Sequence, residues 1–167
     1  MFCCYTGLSY IDVKGLTVED IQIGIDGRKW LHIYRGKTDS RTSLPLLPTA
    51  LDIIEKYSKD LECEISGKLL PVKSNQKMNA YLKEIADICN INKKLTFHMS
   101  RHTFATTVTL TNDVPIETVS KMLGHKNIRT TQIYAKIVDK KVSADMQKLQ
   151  AKLDQKANIS PYKVGLA

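Results

Sequence analysis

The sequence predicts a mixed α+β domain, mainly α-helical, with one small three-stranded antiparallel sheet. Three observations carry that prediction. Beyond residue 48 the apolar residues recur at helical spacing. Residues 21–46 instead show two-residue alternation and turn dipeptides. The 167 residues are 43% hydrophobic and 25% charged, which suits one soluble globular domain with a core of its own.

The elements follow in order. Residues 1–9 are apolar and end at Thr6-Gly7. A helix beginning on the first residue, with no cap before it, predicts a truncated start. Ile21, Ile23 and Ile25 alternate with polar or small residues, as in a half-buried strand. Asp26-Gly27 is a hairpin dipeptide, and Trp30, Leu31, Ile33 and Tyr34 form the return strand. Residues 36–40 are polar and turn-like. Ser43-Leu44-Pro45-Leu46 is a third strand, at an edge because Pro45 has no N–H for a ladder. Pro48-Thr49 opens a helix with Ala50, Ile53, Ile54, Tyr57 and Leu61 on one face. After a loop over 66–71, Ser74 or Asn75 caps a helix striped with Met78, Tyr81, Leu82, Ile85, Ile88 and Cys89. Helices are expected at 97–110, at 115–123 with Pro115 in its first turn and Gly124 at its end, and at 128–136. A last amphipathic helix carries Val138, Val142, Met146, Leu149 and Leu153. The expected division is a domain over 1–156 and a tail over 157–167.

Composition excludes several classes. The sequence has no run of 18 apolar residues, so no membrane span is expected, and its start does not read as a signal peptide. Cys3, Cys4, Cys63 and Cys89 form no CxxC pair, so reduced thiols are expected rather than a zinc ribbon. Net charge is +8; residues 1–90 are neutral overall and 91–156 carry +7. Such a concentration fits a polyanionic partner, and equally a solvated face.

The chemistry concentrates in 98–134. His98-Met99-Ser100-Arg101-His102-Thr103-Phe104 is followed by Leu123-Gly124-His125 and, nine residues on, by Tyr134. His98 and Arg101 share a helix face. Arginine offers planar paired donors for phosphate oxygens. A tyrosine hydroxyl, with an ordinary pKa of about 10, needs neighbours to act as a nucleophile. Two histidines, an arginine and a tyrosine suit attack of a phenol on a phosphodiester. His98 and His102 also have the i, i+4 spacing of a helical zinc site, but Met99 stands where a metalloprotease needs Glu. No metal or other cofactor is expected, and His102 is read as a packed histidine.

The ordered motifs resemble the tyrosine recombinase (phage integrase) family, over nearly the whole chain. Tyr5-Thr6-Gly7-Leu8 matches the family's first box, Arg35-Gly36-Lys37-Thr38 its hairpin lysine, and Leu44-Pro45-Leu46 the strand after it. The resemblance implies the tyrosine recombinase catalytic fold and site-specific DNA breakage and rejoining, as in integration or excision of a mobile element. It implies that Tyr134 forms a 3′-phosphotyrosyl bond, that Arg101 clamps the phosphate, and that His98 and His125 assist. Lys37 then protonates the leaving 5′ oxygen, and Asp12 supports the first box. The implied partners are double-stranded DNA and further copies of the chain, joined through the carboxy-terminal helix or tail. The implied place is the cytoplasm.

Two departures stand out. The first box normally ends in Arg, the second half of the phosphate clamp, where this sequence has Ser9. Losing one such donor costs about 10²–10³ in rate. Arg28, Arg35, Arg41 and Lys14 are the basic residues near enough in sequence to compensate, and the sequence does not choose among them. The early position of the first box also leads to the expectation of a catalytic domain alone, without the amino-terminal DNA-binding domain that the resemblance implies for family members. Two other functions stay open: a decayed integrase that binds DNA without cleaving it, and a type IB topoisomerase with a similar residue set.

Overall fold

The computed structural model describes residues 1–35, 41–135 and 139–159, and only the backbone of 139–141 and 156–159. The chain divides into two units, Met1–Ala135 and Lys136–Ala167. Lys37, the polar turn over 36–40, Val138 and the end of the tail lie outside the described residues.

The first unit opens with α1 (Phe2–Thr6), which stops because Gly7 takes φ 65 and returns its N–H to the Cys3 carbonyl. Ser9 starts α2 (Tyr10–Gly15) through a capping box closed by Asp12. The sheet then runs β1 (Ile21–Ile23), β2 (Lys29–Tyr34) and β3 (Arg41–Pro45), antiparallel and in that order. Leu31 faces Leu44 and Ile33 faces Thr42 across β2 and β3, and all four are buried. On β1 the expected inward face narrows to Ile21. Ile23 is 68% exposed, and Ile25 beyond the strand end is fully exposed, because the hairpin extends past the core. Its loop spans residues 25–27, with Gly27 at φ 73, longer than the dipeptide predicts. Trp30 covers this end, donating from Nε1 to Asp26 Oδ1 at 2.7 Å.

The helix predicted through Leu61 is two. α3 (Pro48–Tyr57) ends, and Asp60 starts α4 (Leu61–Ser66) by accepting from the N–H groups of Glu62 and Cys63. A carboxylate cap outcompeted continuation. α5 (Asn75–Ile88) is capped by Ser74 as predicted, but its apolar stripe is wider than its covered face. Ala86 is buried and Met78 and Leu82 partly so, while Tyr81, Ile85 and Ile88 are exposed.

α6 (Met99–Thr103) runs on into a π-helical stretch, Phe104–Thr109. Thr109 Oγ1 donates to the Phe104 and Ala105 carbonyls there, and a 3₁₀ turn over Leu110–Asn112 follows. α7 (Ile116–Met122) and the short α8 (Arg129–Gln132) complete the unit. Its core centres on Leu8, Leu16, Leu31, Leu44, Ala105, Val119 and Leu123. In the second unit α9 (Asp139–Ile159) runs into the segment expected to be tail, and Val142, Met146, Leu149 and Leu153 are exposed on it. All four cysteines are free thiols. Among the described residues no helix is long and apolar enough to cross a membrane.

Candidate active site

Arg101 organises the site. It lies one helical turn before Phe104 and Ala105, on the buried face, and is 6% exposed. Its Nη1 donates to the Gly7 carbonyl at 2.5 Å and its Nη2 to the Leu123 carbonyl at 2.6 Å. Both acceptors come from helix ends that stop at left-handed glycines or beside them, so two helix terminations aim their last carbonyls at one guanidinium. Burial lowers the Arg101 pKa, and the nearby Tyr134 hydroxyl and Asp12 carboxylate act against that shift.

His125 is placed by the end of α7. Gly124 takes φ 62, its N–H returns to the Lys121 carbonyl, and the His125 N–H returns to the Ser120 carbonyl. This is a Schellman termination. The imidazole then bridges two partners: Arg101 Nη2 lies 2.9 Å from Nε2 and Thr131 Oγ1 lies 2.8 Å from Nδ1. A guanidinium can only donate, so Nε2 accepts and the ring proton sits on Nδ1, directed at Thr131. Burial, then the charges of Arg101 and Arg35, push the His125 pKa down to about 4, so the ring is neutral at pH 7.

Tyr134 follows α8 and is buried, at 9% exposure. Its ring lies parallel to His125, centroids 6.5 Å apart, and edge-on to His102 at 5.2 Å. His102 is itself exposed, so it is not packed as the sequence suggests and meets the edge of the core at this ring. His98, at the N-terminus of α6, is exposed and lines a cleft of about 220 Å³ together with Ser9, Arg101, Asn75 and Asn79.

The other side of the site is built from side chains. The Ser9 hydroxyl donates to Asp12 Oδ2 at 2.7 Å, which uses its one proton. The same Asp12 oxygen pairs with Arg35 Nη1 at 3.3 Å, both side chains being almost fully buried. Arg35 Nε donates to Thr42 Oγ1 at 2.9 Å. Burial, then the charge of Arg101, lower the Arg35 pKa to about 10, with Asp12 acting against them; it remains a cation at neutral pH.

Of the residues singled out in the sequence, the structure brings together Arg101, His125 and Tyr134, places His98 and Ser9 with Arg101 on one cleft, and links Asp12 to Ser9. Lys37 lies outside the described residues. Thr131, which fixes the imidazole, and the Gly7 and Leu123 carbonyls, which fix Arg101, were not read as site residues. Nothing in spacing marks a threonine or a backbone oxygen as a partner. Among the described residues no three His, Cys, Asp or Glu side chains gather as a metal group.

The sequence matches the model of the phage integrase family over residues 1–141. It is 32% identical over 146 residues to the tyrosine recombinase XerD of Halalkalibacterium halodurans, covering 79% of this chain and 46% of that one. The chain thus spans about half the length of the curated relatives it matches. Its fold is similar to the crystal structure of XerA recombinase, with TM-score 0.67 and 23% identity over 87% of this chain and 54% of that one. It is also similar to the Tn1549 transposon integrase in complex with a circular intermediate DNA, with TM-score 0.66 and 18% identity over 87% and 56%.

Proposed function

The chain belongs to the phage integrase family of tyrosine recombinases, and from that premise we propose that it breaks and rejoins DNA strands through a covalent bond to Tyr134. One observation carries the reading: a buried guanidinium is bonded to His125, and the Tyr134 ring lies parallel to that imidazole with centroids 6.5 Å apart. In the reaction the Tyr134 Oη–phosphorus bond forms as the bond from phosphorus to the 5′ oxygen breaks. The phenol loses a proton and the leaving 5′ oxygen gains one. One phosphodiester is exchanged for another, so rejoining is the reverse step and draws on no other energy source.

Arg101 donates to a non-bridging oxygen, where negative charge grows in the transition state. His125, neutral at pH 7, contributes hydrogen bonding rather than a proton. His98 offers a further donor from the cleft. Lys37 is assigned the leaving-group proton by the family resemblance. Asp12 positions its neighbours and does not touch DNA.

The transposon integrase among the similar folds supports a mobile-element end as the DNA. The exposed Val142, Met146, Leu149 and Leu153 of α9 suit joining one copy to another on DNA. Ser9 in place of a cation favours a second reading, DNA binding without cleavage.

Duplexes nicked near candidate element ends separate the two. Cleavage releases a short 5′ fragment and traps the adduct on a denaturing gel. Cleavage predicts an adduct with the 167-residue chain, lost in Tyr134→Phe while DNA binding remains. Binding without adduct supports the second reading. Relaxation of supercoiled plasmid at any site indicates topoisomerase chemistry instead.

A further inference from the structure

We propose that Arg35, at the end of β2, supplies the second cation that holds the scissile phosphate, in place of the charge that Ser9 does not carry. The inference rests on the cleavage reading above and names a further residue for it. Of the four basic residues left open by the sequence, Arg28 and Arg41 are exposed, and Lys14 lies 5.9 Å from the Tyr10 ring centroid. Arg35 is the one that is buried, at 6% exposure, and close enough to Arg101 and His125 for its charge to act on them.

Its bonds leave a donor over. Nε goes to Thr42, Nη1 goes to Asp12, and among the described residues Nη2 is buried with no hydrogen-bond partner. A buried guanidinium N–H is seldom left unmatched. The charge of the Asp12 carboxylate acts on both neighbouring buried cations, Arg35 and Arg101, but the carboxylate pairs directly with Arg35 alone among the described residues, and Asp12 divides its Oδ2 between Arg35 and Ser9. An anion with several acceptor oxygens relieves both the repulsion and the unmatched donor, and a phosphodiester is such a group. Gly124 makes room: a Cβ there would lie 2.5 Å from Arg35 Nε, beside the residue that carries the imidazole. Ser9 and Asp12 become positioning residues that hold the arginine on the site.

The test compares wild type with Arg35→Lys and with the charge-neutral pair Arg35→Met and Asp12→Asn, which leaves no carboxylate buried alone. Folding of each is checked by circular dichroism. Adduct formation is timed on nicked duplexes carrying either an ordinary scissile phosphate or a methylphosphonate, which lacks one charged oxygen. The neutral pair is expected to slow the ordinary reaction by about 10²–10³, with Arg35→Lys intermediate. On the methylphosphonate the loss is expected to shrink below about tenfold, because there is less charge to neutralise. An equal loss on both substrates, or no loss, overturns the proposal while leaving Tyr134 cleavage intact. A readout without chemistry accompanies this. Inorganic phosphate at fixed ionic strength should raise the wild-type melting temperature and not that of the neutral pair. If wild type forms no Tyr134 adduct but phosphate still distinguishes the two, the anion site stands and the cleavage reading fails. If phosphate does not distinguish them, the Arg35 site fails.

Discussion

The two sides of the site are held by different means. Arg101 and His125 are fixed from the main chain outward: two backbone carbonyls take the guanidinium, and a helix-ending turn aims the imidazole. Ser9, Asp12 and Arg35 form a relay of side chains passing through one carboxylate oxygen, and among the described residues it ends in an unmatched donor. The first side is set by helix geometry and resists small changes. The second depends on a few charges, which is the kind of arrangement in which a cation can move from one element to another while the pocket stays.

The largest effect should come from the main-chain side. Arg101→Ala removes a cation and leaves the Gly7 and Leu123 carbonyls without that partner. Adduct formation should fall about 10²–10³ or more, and urea denaturation should show a loss of about 1–3 kcal/mol per unpaired group. Wild-type stability in that variant would break the distinction between the sides. Asp12→Asn, in the relay, removes one partner of a buried ion pair and should cost about 3–5 kcal/mol in the same measurement. Its adduct rate should fall less than that of Arg101→Ala. An Asp12→Asn chain as stable as wild type would mean the pair is already solvated.

Gly124→Ala touches both sides, since its Cβ meets Arg35 and its backbone at φ 62 resists a side chain. The expected loss is about 1–3 kcal/mol. The effect confined to acidic conditions is that of pH, and it vanishes at neutrality. His125 has a folded pKa near 4, below its ordinary 6.5. The unfolded chain therefore binds a proton that the folded one refuses between those values. Stability from this group is complete above pH 6.5 and declines as pH falls toward 4. In His125→Asn the denaturation midpoint should vary less over that window. An unchanged slope would mean the imidazole is not held neutral.

The side chains of the main-chain side were legible because each sits in a local motif, although the Gly7 and Leu123 carbonyls that hold Arg101 were not. His98 and Arg101 are one helix turn apart and His125 follows a glycine stop, the family resemblance joined these motifs to Tyr134, and the small sheet announced itself by alternation and by Asp26-Gly27. The relay was not legible. Arg35 stood among four candidates because what singles it out is contact with Asp12, Thr42 and Gly124, which lie far from one another in sequence. The stripe on α5 misled for a related reason: periodicity finds an apolar face but not what covers it, and Ile85 and Ile88 are exposed. The helix expected to run through Leu61 failed at Asp60, where a cap beats propensity.

The most direct measurement locates the covalent bond. The adduct formed on a nicked duplex is digested with trypsin and the DNA-bearing peptide is identified by mass. Cleavage after Arg129 and Lys136 yields residues 130–136, which contain Tyr134 and no other tyrosine. The DNA is expected on that peptide, at Tyr134. DNA on a peptide holding another of the chain's tyrosines, or none bound to protein where cleavage has occurred, would contradict the assignment of Tyr134 as the nucleophile.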